Sequence, residues 1–135
     1  MPTRTFPGQY QYLAEIGDFV TQIAKEAGFD SDQVYAVQLA VDEACANIIE
    51  HGYGGEGRGD ILCSCDSTDE GITIVIKDWG QRFAPDEVPE PDYDVPLEKL
   101  QSRGAGLFLM SKLMDDVDFE FGDSDGNTLI MTKRK

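Results

Sequence analysis

Glu43, Asn47 and His51 follow one another at intervals of four, with Glu50 beside them. On a helix that spacing stacks the three side chains along one side, a turn apart. A carboxylate in such a row can take a proton from an incoming hydroxyl or water. The neutral amide oxygen of Asn47 is a good ligand for a hard cation such as Mg2+, and Asn is a poor helix former in mid-helix. Glu and His alone would equally make an ordinary solvated helix face. A second group is Asp78-Trp79-Gly80-Gln81-Arg82-Phe83. An Asp at a strand end, just before a Gly, can point into a pocket and accept a hydrogen bond from an exocyclic amino group, which would tell adenine from guanine. The same three residues also suit a plain strand-ending turn. The third group is Arg103-Gly104-Ala105-Gly106-Leu107. Its two glycines let backbone N–H groups come close to a ligand, and a helix start favours an anion. Arg103 adds a planar donor for a terminal phosphate. A simple loop-to-helix turn would look similar. No G-K-[ST] occurs, and no Gly-rich run follows the first strand, so neither the P-loop nor the dinucleotide fingerprint is present.

The elements that must carry these groups follow from periodicity. Tyr12, Leu13, Ile16, Phe19, Val20 and Ile23 recur at three and four, which predicts an amphipathic helix over 9–27, ended by Gly28. Asp30 or Ser31 can cap a second helix, with Val34, Val37, Val41, Cys45 and Ile48 on one stripe. The Glu43–Asn47 row lies roughly opposite that stripe, and Gly52 with Gly54–Gly55 stops the helix. The period then changes to two. Strands are predicted over 60–66 and 72–78, joined by a polar turn at 67–71, and a short edge strand over 3–6. Residues 81–103 have no sustained period and contain four prolines, Pro85, Pro89, Pro91 and Pro96, the composition of a functional lid or a disordered stretch. A short helix follows, starting near Gly104–Gly106 and carrying Leu107, Phe108, Met110, Leu113 and Met114. A last hairpin pairs 116–122 with 127–133. Hairpins need antiparallel pairing. The expected fold is therefore α/β (α+β), a two-layer sandwich of a mainly antiparallel mixed sheet with helices on one face.

The chain has 135 residues, the size of one domain, and 41% are hydrophobic, enough for a core. Twenty-six acidic residues against 11 basic ones give a net charge of −15. Such a surface repels nucleic-acid backbones and anionic membranes, so neither is an expected partner. A phosphate ligand would have to be held locally, by backbone N–H groups, a metal ion or a placed Arg. Cys45, Cys63 and Cys65 show no metal or redox spacing and read as small buried hydrophobes in a reducing compartment. No signal core and no membrane-length apolar run is visible, and the expected location is the cytoplasm.

In order along the chain, AVDEACANIIEHGY, DWGQRF and RGAGLFLM resemble the ATPase superfamily that joins gyrase, heat-shock chaperones, histidine kinases and MutL. Within it the chain is most similar to the anti-sigma factor serine-protein kinases of bacterial partner-switching systems. The resemblance covers nearly the whole chain. It implies a Bergerat-type ATP-binding domain over 1–135, with a lid over about 81–103. By motif, Glu43 matches the catalytic base and Asn47 the Mg2+ ligand. Asp78 matches the adenine-reading carboxylate, and Gly80 the residue giving close approach. Gly104, Ala105, Gly106 and Leu107 match the phosphate-binding segment, and Arg103 sits by the γ-phosphate. His51 falls at a position that is often His in this subfamily, with no role assigned. Arg82 stands where the superfamily often has the last Gly of Asp-x-Gly-x-Gly.

The resemblance implies a protein serine/threonine kinase that uses Mg2+ and ATP to phosphorylate a small antagonist protein of the STAS type. A sigma factor as second partner and a homodimer are further expectations of the same kind. Two other readings fit some of the residues. A nucleotide-binding regulatory module would switch partners without catalysis, but mere binding has no need of Glu43 as a base. A detached histidine kinase catalytic domain would need an acceptor His from another chain, because the only His, His51, lies inside the predicted ATP helix.

Overall fold

The computed structural model describes residues 1–81, 110–122 and 126–135. Its strands are β1 (Thr3–Pro7), β2 (Asp60–Ser67), β3 (Gly71–Asp78), β4 (Asp116–Phe121) and β5 (Asn127–Arg134). They form one sheet in the order β1-β2-β3-β5-β4, and every neighbouring pair is antiparallel. The two long helices are α1 (Leu13–Glu26) and α2 (Ser31–Asn47).

Alternation along the strands sorts the side chains into two faces. Ile72, Ile74 and Ile76 of β3 are buried, while Thr73, Val75 and Lys77 between them are only half-buried. Cys63 and Cys65 share the inward face of β2, as their spacing of two requires. Ile16, Val20 and Ala24 of α1 and Val37, Val41 and Cys45 of α2 close over that face in one apolar cluster. Met110, in a helical stretch over 110–113, and Met114 just after it join the same cluster. This is the expected two-layer α/β sandwich, with the helices on one face. The three cysteines are free and buried, and burial pushes the Cys63 and Cys65 thiols up to about 12.

Two helix boundaries differ from the periodicity. The first helix does not begin at residue 9. Gln9 is extended, Gly8 N–H donates to the Gly59 carbonyl at 2.8 Å, and Tyr10 N–H donates to the Glu56 carboxylate at 2.8 Å. Those tethers hold the entering chain against residues 56–59. A 3-10 turn over Tyr10–Tyr12 then leads into α1. The second helix does end at Gly52, as expected, but not as a regular α-helix. Over Ile48–Gly52 it widens into a π turn, with Tyr53 N–H donating to the Ile48 carbonyl at 2.8 Å. Such a turn inserts one residue and re-aims the chain beyond it. Gly54 and Gly55 then take positive φ, +73° and +148°, and turn the chain away.

Other signals operate where they are expected. Gly28, at φ +93°, ends α1. Asp30 is the cap of α2 and forms a capping box with Gln33, each side chain bonded to the other's backbone N–H at 2.8 and 3.0 Å. The turn between β2 and β3 is closed by two hydrogen bonds between Thr68 and Gly71. Of the lid expected over 81–103, only Gln81 is among the described residues. The expected helix start at Gly104–Gly106 lies outside them.

Candidate functional site

Asn47, the last residue of α2, and Asp78, the last of β3, line one pocket with Ile48, Met110, Asn127 and Leu129. Sequence separates them widely. The sheet and the helix above it bring them together, because β3 ends under the C-terminal end of α2.

The turn leaving β3 is fixed at each of its three backbone N–H groups and at the Gly80 carbonyl. Gly80 N–H donates to Asp78 Oδ1 at 2.9 Å. Trp79 N–H donates to the Tyr53 hydroxyl at 3.0 Å, and that hydroxyl donates to the Asp60 carbonyl at 2.6 Å. Gln81 N–H donates to the Gly52 carbonyl. The Gly80 carbonyl accepts from Asn127 Nδ2 at 3.0 Å. The missing side chain at Gly80 is what allows this. A Cβ on Gly80 would lie 2.5 Å from the Gly52 carbonyl carbon and 3.0 Å from Tyr53 N. Gly80 thus permits close approach between two stretches of backbone.

Asp78 is 7% exposed. Burial raises its pKa, while the Gly80 N–H and the Asn127 amide, bonded to Oδ1 at 3.2 Å, oppose that rise by favouring the anion. A buried carboxylate with fixed donors on one oxygen is a directional acceptor. Asn127 is legible in the sequence only as the first residue of a strand. Its signal is weak but present: Asn is depleted in strands, and here it follows Gly126, whose φ is +86° and whose Cβ would lie 2.5 Å from the Asp78 carbonyl oxygen. Tyr53 ends one of the sequence motifs, and its spacing there gives it no role. Its three-way link depends on contacts distant in sequence.

Asn47 is 6% exposed, and its Nδ2 is buried without a hydrogen-bond partner among the described residues. An unpaired buried amide costs about 1–3 kcal/mol. The two ends of an amide are nearly isosteric, so the same position can present the oxygen instead. An oxygen there suits Mg2+, which is commonly held by one or two protein oxygens together with substrate phosphates and waters. The residue present therefore fits the ion. Among the described residues no group of three His, Cys, Asp or Glu side chains converges as a dedicated metal cage.

Glu43 is half-buried one turn before Asn47. Burial raises its pKa, and the charges of Asp42 and Glu50 raise it further. Glu50 in turn accepts from the Tyr10 hydroxyl at 3.0 Å and faces His51 Nε2 at 3.7 Å. A carboxylate made more basic in this way is a better proton acceptor near neutral pH. Arg103, Gly104, Ala105, Gly106 and Leu107 lie outside the described residues, as does Arg82.

The histidine kinase-like ATPase domain matches residues 6–133. The serine-protein kinase RsbW of Halalkalibacterium halodurans is 32% identical over 133 residues, covering 96% of this chain and 80% of that protein. The protein of the same name from Bacillus cereus is 31% identical over 131 residues, covering 94% and 80%. Among solved structures, the RsbU and RsbW domains of Rv1364c from Mycobacterium tuberculosis align over 99% of this chain and 32% of that one, with a TM-score of 0.64 and 17% identity. The catalytic domain of the histidine kinase ThkA, in a nucleotide-free form, aligns over 100% and 98%, with a TM-score of 0.52 and 12% identity. At such identities the two structures speak to the fold alone.

Proposed function

Because the chain belongs to the anti-sigma factor serine-protein kinase family of the histidine kinase-like ATPases, we propose that it transfers the γ-phosphoryl group of ATP to a Ser or Thr hydroxyl. The acceptor would be a small antagonist protein of the STAS type in a cytoplasmic partner-switching system, with a sigma factor as the competing partner. The observation that carries this reading is the meeting of Asn47 and Asp78 in one pocket, with Glu43 one helical turn away.

Asp78 accepts from the adenine amino group. Asn47 holds Mg2+ through its amide oxygen. The ion, when bound, neutralises charge on the phosphates. The backbone of Gly104–Leu107 and the guanidinium of Arg103 hold the phosphate oxygens. Glu43 orients the acceptor hydroxyl. It takes the proton as the hydroxyl oxygen attacks the γ-phosphorus and the bond to the departing ADP breaks. A carboxylate beside a triphosphate repels it, so Glu43 contributes to chemistry and little to binding. No helix among the described residues is long and apolar enough to cross a membrane.

The test is incubation of the protein with radiolabelled ATP, Mg2+ and candidate antagonist proteins. Acid-stable label on Ser or Thr is expected. Glu43→Ala should keep ATP affinity and lose about 10²–10⁴-fold in transfer rate. Label that is lost in acid, or binding of ATP with no transfer to any antagonist, would overturn the assignment.

A further inference from the structure

Asn127 is a buried side chain whose amide spends its donors on the turn that forms the pocket. Nδ2 reaches Asp78 Oδ1 at 3.2 Å and the Gly80 carbonyl at 3.0 Å. Asp78 Oδ1 also accepts from Gly80 N–H at 2.9 Å. Among the described residues, the hydrogen bonds to the Asp78 carboxylate thus fall on the same oxygen. A carboxylate gripped at one oxygen by two donors cannot rotate without breaking both. It presents the other oxygen in one direction.

We infer that Asn127 is a positioning residue for nucleobase selection, locking Asp78 so that its second oxygen is the acceptor for the exocyclic amino group of an adenine nucleotide. The inference rests on the reading of Asp78 as the base-reading carboxylate. Three features single out an amide at position 127. Two acceptors, one of them a carboxylate, need a donor with two protons, which a hydroxyl lacks. The position is 9% exposed, so little solvent reaches it to replace a lost donor. Gly126, with φ +86° and no Cβ to strike the Asp78 carbonyl, lets the start of β5 come close enough for the amide to reach.

A purely structural Asn127 would affect all nucleotides alike. A positioning one would affect only those with an amino group to be read. The experiment measures dissociation constants for ATP and for purine riboside triphosphate, which lacks that amino group, in EDTA so that Asn47 and metal play no part. Wild type, Asn127→Leu, Asn127→Thr and Asp78→Asn are compared, with circular dichroism melts to verify folding. Wild type should prefer ATP. Asn127→Leu should lose about ten- to a hundredfold of ATP affinity, the worth of a hydrogen bond in which one partner is charged, while purine riboside triphosphate changes by less than about threefold. Asn127→Thr, with one proton for two acceptors, should fall between, and it stands as the test if the Leu variant does not fold. Equal losses for both nucleotides, or no loss for either, would overturn the inference. If Asp78→Asn abolishes the preference for ATP while both Asn127 variants keep it, only the role of Asn127 falls. If Asp78→Asn leaves the preference intact, the base-reading assignment falls with it.

Discussion

In its proposed role as base, Glu43 would serve chemistry at the expense of stability. Burial, Asp42 and Glu50 all raise its pKa. A carboxyl raised in this way binds its proton more tightly in the folded chain than in the unfolded one. Its favourable contribution is complete below the unfolded pKa and is lost as the pH rises through the folded one. At neutral pH the charged Glu43 therefore detracts from stability. Glu43→Gln should raise the melting temperature at pH 7, and the gain should vanish on acidification below the ordinary carboxylate range. Melts at pH 7 and pH 3.5 check this, and an equal gain at both would assign the effect to packing. Glu43 and Asn47 were readable because four-residue spacing is a local property of one helix. Asn127 and Tyr53 were not, since each acts by touching residues 49 and 26 positions away.

Among the elements, the π turn over Ile48–Gly52 decides where the end of β3 can sit. It brings the Gly52 carbonyl to Gln81 N–H and leaves no room for a side chain at position 80. Gly80→Ala should cost on the order of 1–3 kcal/mol, as overpacking against rigid backbone does, and should weaken nucleotide binding as well. Urea titration and nucleotide titration of the same variant test the two together. Unchanged stability would mean the turn yields easily and does not preset the pocket. The hairpin β2–β3 and the cap at Asp30 were legible because period and turn chemistry are written in neighbouring residues. The π turn and the delayed start of α1 were not, because hydrogen bonds from Tyr53, Gly8 and Tyr10 to distant or displaced partners set them.

For the whole molecule, the two layers followed from hairpins and amphipathic helices, but the strand order did not. Nothing local says that β5 inserts between β3 and β4. The charge of −15 is likewise a property of the whole chain. Among the described residues two ion pairs stand out, Arg134 with Asp116 at 3.0 Å and the His51–Glu50 contact. Self-repulsion among the remaining carboxylates opposes the compact state and is screened by salt. The urea midpoint should therefore rise between 20 and 300 mM NaCl. A flat or falling midpoint would mean that specific ion pairs outweigh the repulsion.

The pairing of β3 with β5 also orders events in time. Residues 79–126 lie between the Asp78–Asn127 pair, whereas β2–β3 and β4–β5 are joined by short connections. Closing the long loop carries an entropic cost that the local hairpins avoid, so they should form first. The pocket that Asp78 and Asn127 line then exists only after the C-terminal hairpin has docked. A ligand of that pocket would meet no binding surface during the early steps of folding. In stopped-flow experiments ATP should leave the refolding rate unchanged and slow unfolding, the pattern of an interaction absent from the transition state. Faster refolding with ATP would place the docking of β5 before the barrier.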